Sequence, residues 1–524
     1  MGVCGSTAIR AYDEPMRRTD QHILSMIRGS QTSAETIGHA RMVRHMDLWD
    51  EYSTNREVLG IGLNGPVYRI FSKRDPSLCY ALKEVTVSRP KSLAAGPSRS
   101  IVVGMVLNEL QVCLQLDHFH IARVYEVYES ATSVFLVMEL CSGGELYGRL
   151  RANDRFNEIE TIFLTTQIIK AINYMHARDF VHGDLKLENF LFASAGVGIF
   201  KTPLKLIDFG FSHLGSDNRP RRIICGSPQY MAPEKFHRGI PETTKSDMWS
   251  VGVITFMLLT GKAPFAGQTI DEMKHYFDGA SSIQLPIKKA LERYQVGADG
   301  IDFVLRLLER NPESRFSARE ALNHRWLASM EIRRMHSRIT VESDMRNCLN
   351  VLVEFSKLGA LRRACLGLFA MYGPPLTTLL TAPAVFDAID TNNDGFIQPS
   401  ELGDAFRNNG ISVPPGAVFQ AIDLVGDGRI NFSEFIAATD VYETIRQVAN
   451  GTLPGAYVAI IESIFRKLDV DKSGTISQQN LLALFGKRGY KGTRTTELIK
   501  EGDIVGDGVI SLDEFFSLIK YGGR

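Results

Sequence analysis

The 524-residue chain is expected to fold as an α+β domain followed by an all-α domain. Three observations carry that expectation. Strand-like runs cluster between Tyr52 and Cys141, and helical spacings dominate from there to about Leu327. Beyond Pro383, four acid-rich loops repeat with starts at Asp390, Asp423, Asp469 and Asp503, in two close pairs with a longer middle gap.

The length suggests three or four domains. Lys plus Arg and Asp plus Glu balance at 59 each, so no global field argues for nucleic acid, and no such partner is expected. Seven scattered cysteines without a C-x-x-C spacing read as reduced thiols in a cytoplasmic compartment. No apolar run approaches the roughly 20 residues that span a bilayer, and no signal peptide opens the chain.

Met1-Gly2-Val3-Cys4-Gly5-Ser6 matches the N-myristoylation pattern, with Cys4 beside Gly2 as a palmitoylation candidate. One myristoyl chain holds a membrane only marginally, so a second on Cys4 would turn contact into residence. The remainder to about Asp50 has mixed polarity and reads as a partly ordered extension.

Gly60-Ile61-Gly62-Leu63-Asn64-Gly65-Pro66-Val67 lies between two strand-like runs, a glycine-rich turn whose amides can close over phosphates without Cβ obstruction. Such a turn also opens dinucleotide folds, but there a crossover helix follows, and here the strand Cys79-Tyr80-Ala81-Leu82-Lys83 arrives instead. Ser88 to Gly104 is a loop rich in Ser, Pro, Gly and Ala. A helix over Val106–Leu116 carries Glu109, with Val106, Leu107, Leu110 and Leu114 on its buried face. Val134 to Cys141 is a buried strand, followed by Gly143-Gly144-Glu145-Leu146 and a helix through Ile162–His176. Then come Val181-His182-Gly183-Asp184-Leu185-Lys186-Leu187-Glu188-Asn189, Lys205-Leu206-Ile207-Asp208-Phe209-Gly210 and Cys225 to Glu234, with Asp247 and Arg315 further on.

In order and spacing these motifs resemble the protein kinase family over Tyr52–Leu327. The resemblance implies a two-lobed fold, an antiparallel sheet above a helical lobe, that binds ATP and Mg2+. It makes Lys83 the residue gripping the α- and β-phosphates, Glu109 its ion-pair partner, and Asp184 the base for a substrate hydroxyl. Lys186 steadies the transferring group, and Asn189 and Asp208 hold magnesium. Gly60, Gly62, Gly65, Val67, Ala81, Met138, Glu139, Cys141, Glu145 and Leu191 complete the nucleotide site, with Met138 behind the adenine and the backbone of Glu139 and Cys141 bonding the base. Arg315 is the expected partner of Glu234.

Arg333, Arg334, His336 and Arg338 precede Met345, Leu349, Leu352 and Phe355, a basic segment leading into an amphipathic helix of the type that calcium-sensing domains clasp. Of the loops, the first fits the calcium pattern throughout: Asp390, Asn392, Asp394, the Phe396 carbonyl and bidentate Glu401 supply oxygens around the turn at Gly395. The second (Asp423, Asp427, Arg429, Glu434) and fourth (Asp503, Asp507, Val509, Glu514) carry Val425 and Val505 at the third position, each losing one ligand. The third keeps Asp469, Asp471, Ser473 and Thr475 but ends in Asn480, so magnesium or no metal fits it as well as Ca2+.

Kinase domain, junction and four EF-hands together resemble the calcium-dependent protein kinases of plants and protists. The expected division is an extension to residue 51, a kinase domain over 52–327, an autoinhibitory junction over 328–375, and a calmodulin-like domain from 376 with EF-hands near 377–412, 413–445, 456–491 and 492–524. The resemblance implies a serine/threonine kinase inhibited by its junction and released when EF-hands seize it, anchored to membranes by acylation. Glu145 and Glu188 suggest basic residues before the target Ser or Thr. Two alternatives stay open: a calcium-sensing scaffold with a vestigial kinase fold, and a constitutive kinase with structural EF-hands. Gly183 departs from the family, which commonly has there an arginine that pairs with an activation-segment phosphate. Ser227 and its neighbours are therefore expected to need no phosphate.

Overall fold

A computed structural model describes residues 42–44, 48–62, 65–86, 108–130, 133–216, 226–237, 242–279, 282–328, 341–373, 381–447, 453, 455–485, 490 and 493–522. A six-stranded sheet opens the fold: β1 (Met42–Arg44), β2 (Tyr52–Gly62), β3 (Gly65–Ser72), β4 (Cys79–Thr86), β5 (Val124–Glu129) and β6 (Ser133–Glu139), in spatial order β1-β5-β6-β4-β3-β2. The pairings from β2 to β6 are antiparallel, as expected from the sequence. The extension supplies β1, which pairs parallel with β5 and departs from an all-antiparallel sheet. The β2–β3 hairpin turns at Gly65, whose φ of +137° suits glycine and where a Cβ would lie 2.7 Å from the Glu84 carbonyl oxygen.

Below the sheet, helix Glu158–Ala177 starts on a capping box between Asn157 and Glu160 and buries Ile162, Leu164, Ile168, Ile169 and Ile172. Helix Thr244–Thr260 is apolar almost throughout because neighbours cover it on every side. It anchors the lobe through Trp249, stacked on Phe265, and Asp247. Arg315, 1% exposed, meets both oxygens of Glu234 at 2.7 and 2.9 Å. Removing one partner of such a pair strands the other charge. Arg315→Ala is therefore expected to cost about 3 kcal/mol of stability, read as a lower denaturant midpoint, and an unchanged midpoint would refute this.

Two helices between the domains, Val341–Ser356 and Ala360–Tyr372, where the junction is expected, pack among the EF-hand helices. On the first, Met345, Leu349, Leu352 and Phe355 are buried, the face expected from their spacing. The second, not foreseen as a separate helix, is enclosed almost entirely. It contacts Phe432–Ile436 from one EF-hand pair and Gly455–Leu468, Thr495–Gly502 and Leu512–Tyr521 from the other. Glu501 caps its start by accepting from the amides of Leu361 and Arg362, both at 2.9 Å. Arg362 donates to the Ile519 and Lys520 carbonyls at the end of the last helix. Arg333, Arg334, His336 and Arg338 lie outside the described residues.

Candidate functional site

Antiparallel register brings distant sequence motifs to one cleft. Lys83 on β4 pairs with Val67 on β3, and Ala81, on the same face two residues earlier, pairs with Met138 on β6. From below, Leu191 on a short strand (Phe190–Phe192) bridges Glu145 and pairs with Lys205. Glu139 closes the rear by an ion pair with Lys205 at 2.8 Å, and Cys141 follows it with no partner strand of its own. Gly60 and Gly62 end β2 above this cleft, while Leu63 and Asn64 lie outside the described residues.

Lys83 is 6% exposed and bonds Glu109 on the helix 108–115, with Asp208 3.5 Å away. Burial opposes its charge, yet Glu109 and Asp208 together hold the ammonium above the ordinary lysine value. Burial likewise opposes ionisation of Asp208, but Lys83 and the Gly210 amide counter it and keep the carboxyl below the usual range. A charged lysine and an ionised aspartate thus face one space.

The second cluster sits on the loop after Val181. Lys186 reaches Asp184 at 2.7 Å, the Asn189 amide donates to the Asp184 carbonyl at 2.8 Å, and the Ser227 amide donates to the Asp184 carboxylate at 2.8 Å. Asp247 fixes the loop from behind, accepting from the amides of His182 at 2.8 Å and Gly183 at 3.0 Å and pairing with His176 at 2.9 Å. Burial drives the His182 ring down towards its neutral form. That ring packs edge-on against Phe209, which is buried beside Asp208. Asn189 and Asp208 approach from adjoining strand ends, the Ile207 amide bonding the Asn189 carbonyl at 2.9 Å. An amide and a carboxylate beside phosphate oxygens suit magnesium, which keeps several waters.

Within the EF-hands, Ile397 and Ile430 bridge the first two loops, and Ile476 and Ile510 the last two. In loop one, Glu401 folds back to accept from the amides of Thr391 and Gln398, both at 2.9 Å, and Asp390 accepts from the Gly395 amide at 2.8 Å. Burial pushes the Asp390 carboxyl up to about 7, the Gly395 amide opposing and the Asp394 and Glu401 carboxylates adding. Asn392 bonds Asp394 at 2.9 Å within the same ring. Oxygens crowded without a countercharge are the donor set a hard divalent cation fits.

Loops two and four keep that frame. Glu434 accepts from Val425 and Asn431, and Glu514 from Val505 and Ser511. Asp423 and Asp503 bond the glycine turns at Gly428 and Gly508, and Asp427 and Asp507 receive the amides of Arg429 and Val509. Arg429 also pairs with Asp427 at 3.3 Å, placing a cation on that loop. In loop three Asp469 holds Gly474 and Ser473, Asp471 receives the Ser473 amide at 3.2 Å, and the Ser473 hydroxyl reaches the Thr475 carbonyl at 3.1 Å. Asn480, in the first turn of helix Gln478–Phe485, accepts from the amide and hydroxyl of Ser477, both at 2.7 Å.

Local motifs did not foretell how loop one meets the rest of the chain. Phe396 is 3% exposed and belongs to the core of the helical lobe, tilted 5.4 Å from Tyr174 with Arg178 over its other side at 5.5 Å. Lys170 pairs with Asp387 at 2.7 Å, and Asn173 donates to the Asn393 carbonyl. Gly395 lies so close that a Cβ would be 2.4 Å from the Tyr174 ring. Ser433 bonds Asp117 at 2.9 Å, and Arg123 donates to the carbonyl of junction residue Ala370 at 2.6 Å. On the sheet side Lys467 pairs with Glu126 at 2.8 Å and Arg466 with Glu51 at 3.0 Å. Gly2 and Cys4 lie outside the described residues, among which no helix is long and apolar enough to cross a membrane.

Residues 53–327 match the protein kinase domain family, and residues 383–439 and 459–520 each match an EF-hand domain pair. Calcium-dependent protein kinase 5 of Plasmodium falciparum is 27% identical over 492 residues, covering 93% of this chain and 81% of that protein. Calcium-dependent protein kinase 4 of Plasmodium berghei is 28% identical over 492 residues, covering 90% and 87% respectively. With the lysine, the paired acids and the catalytic loop assembled in one cleft and EF-hand pairs joined behind it, this chain belongs to the protein kinase family, in the calcium-dependent group.

Proposed function

We propose that the chain transfers the γ-phosphate of ATP to Ser or Thr of proteins under control of calcium. The observation that carries this is the simultaneous presence of an assembled Lys83–Glu109 pair and a junction enclosed by both EF-hand pairs. Lys83 orients the α- and β-phosphates, and Asp184 takes the proton of the attacking hydroxyl as its oxygen bonds phosphorus and ADP departs with the breaking bond's electrons. Lys186, 2.7 Å from Asp184, faces the charge that develops on the transferring group. Asn189 and Asp208 would hold magnesium, which when bound would neutralise charge on the phosphate oxygens.

In this reading the junction inhibits when it is free, and calcium in the EF-hands favours the enclosed arrangement described above. Loop one is the principal calcium site, loops two and four bind more weakly, and loop three contributes least because Asn480 offers a neutral amide where the other loops end in the carboxylates of Glu401, Glu434 and Glu514. Glu145 and Glu188 favour basic residues before the target, and acylation at Gly2 and Cys4 brings the enzyme to a membrane. The division at residues 52, 328 and 376 belongs to the same proposal.

The test measures phosphate transfer with calcium and with chelator, in the wild type and in Glu401→Gln. Calcium should raise the wild-type rate, and the variant should need at least about tenfold more calcium, because one charged bidentate ligand is lost. Equal rates with calcium and chelator would sink calcium control, and an unshifted Glu401→Gln would favour EF-hands that serve structure alone.

A further inference from the structure

The glycine that replaces the family's arginine has company. Gly183 has a φ of +84°, and a Cβ there would lie 3.0 Å from the Phe211 carbonyl oxygen and 3.4 Å from a carboxylate oxygen of Glu242. Lys235 pairs with that same Glu242 and donates to the Gly183 carbonyl at 2.9 Å. Both side chains are nearly shut off from solvent, 11% and 10% exposed. Lys235 directly follows the Ala232-Pro233-Glu234 end of the activation segment, and Glu242 leads into helix Thr244–Thr260. An anion and a cation from two other segments thus converge on the main chain one residue before Asp184.

We propose that Lys235 and Glu242 are positioning residues that replace the arginine–phosphate pair: Glu242 stands for the phosphate, Lys235 for the arginine, and their pair clamps the catalytic loop. The clamp has a clear object. Glycine leaves its backbone unusually free, and Gly183 adjoins the proposed base. Asp247 holds the Gly183 amide at 3.0 Å and Lys235 holds its carbonyl, so the residue is gripped at both ends. The activation segment rests on the same spot, Gly226 against the Gly183 carbonyl and the Ser227 amide on Asp184 at 2.8 Å. A lysine buried there alone would be costly, and Glu242 supplies its countercharge. Charge-assisted bonds of this kind are the strong ones, and ordering by such a pair is what phosphorylation otherwise achieves.

The inference rests on the phosphotransfer reading, and the test separates the two. In the full calcium-loaded chain, Lys235→Met/Glu242→Gln removes both charges and leaves neither stranded. Its kcat for a peptide substrate should fall about tenfold, the worth of one charge-assisted hydrogen bond, with the KM for ATP and the calcium midpoint unchanged. Lys235→Arg should keep most of the wild-type kcat, and phosphatase treatment should leave the wild type active. A double variant with wild-type kcat, or a wild type silenced by phosphatase, would overturn the clamp. So would a double variant that loses kcat only together with its melting transition while Lys235→Arg is equally inactive, since the pair would then be structural alone. A wild type that transfers no phosphate at all would instead defeat the phosphotransfer reading.

Discussion

Asp184→Asn is expected to lower kcat about a thousandfold, within the range that general-base removal commonly costs. The carboxylate is buried, and two donors hold it in one orientation, Lys186 at 2.7 Å and the Ser227 amide at 2.8 Å. Asparagine keeps the shape but cannot take the hydroxyl proton, and its amide group would turn a donor towards one of those donors. Lys83, Glu109 and Asp208 are left in place, so the KM for ATP should change little. Steady-state kinetics with a Ser-containing peptide, alongside a melting curve, makes the check. Undiminished transfer in a folded variant would remove Asp184 from the chemistry and favour the scaffold reading.

Phe396→Ala is expected to weaken docking of the EF-hands on the helical lobe by about 3 kcal/mol, the lower end of the usual cost of a buried Phe→Ala change. The ring fills a place among Tyr174, Arg178 and Arg429, the last with its guanidinium 4.3 Å from the ring centre. The carbonyl of this same residue is the seventh-position ligand of loop one, and substitution leaves that carbonyl intact. Loop one can therefore still bind calcium, but docking no longer adds to its affinity. By linkage the calcium midpoint for activity should rise, and hydrogen exchange along Asn173–Arg178 of the calcium-loaded chain should accelerate. Unchanged protection there, with an unchanged midpoint, would show that the aromatic contact carries no coupling.

These motifs were legible in the sequence because each is a short run whose residue types answer a local demand. Gly65 meets a backbone conformation, Asp390 to Glu401 form one ligand ring closed by successive residues, and Leu349, Leu352 and Phe355 follow helical spacing. The partnership of Glu234 with Arg315 was legible through the family pattern, and the structure brings the two together with bidentate geometry. Helix Ala360–Tyr372 is enclosed almost entirely, Arg362 included, and which elements enclose it is set by surfaces far away in the chain rather than by its own spacing.

By itself, then, the sequence determined the order of kinase domain and EF-hand pairs, and it is the ground on which residues of the phosphate site and a ranking of the calcium loops are proposed, since those depend on which atoms stand at which spacing. Tertiary structure alone decided which surfaces meet. Asn173 finds Asn393 across 220 residues, and Lys235 finds Glu242 and Gly183 around a glycine that looked only like a missing arginine. Such contacts join segments whose local patterns are already satisfied. They arise when packed elements bring unpaired charges and apolar rings to the same place, and no periodicity in either segment records the other.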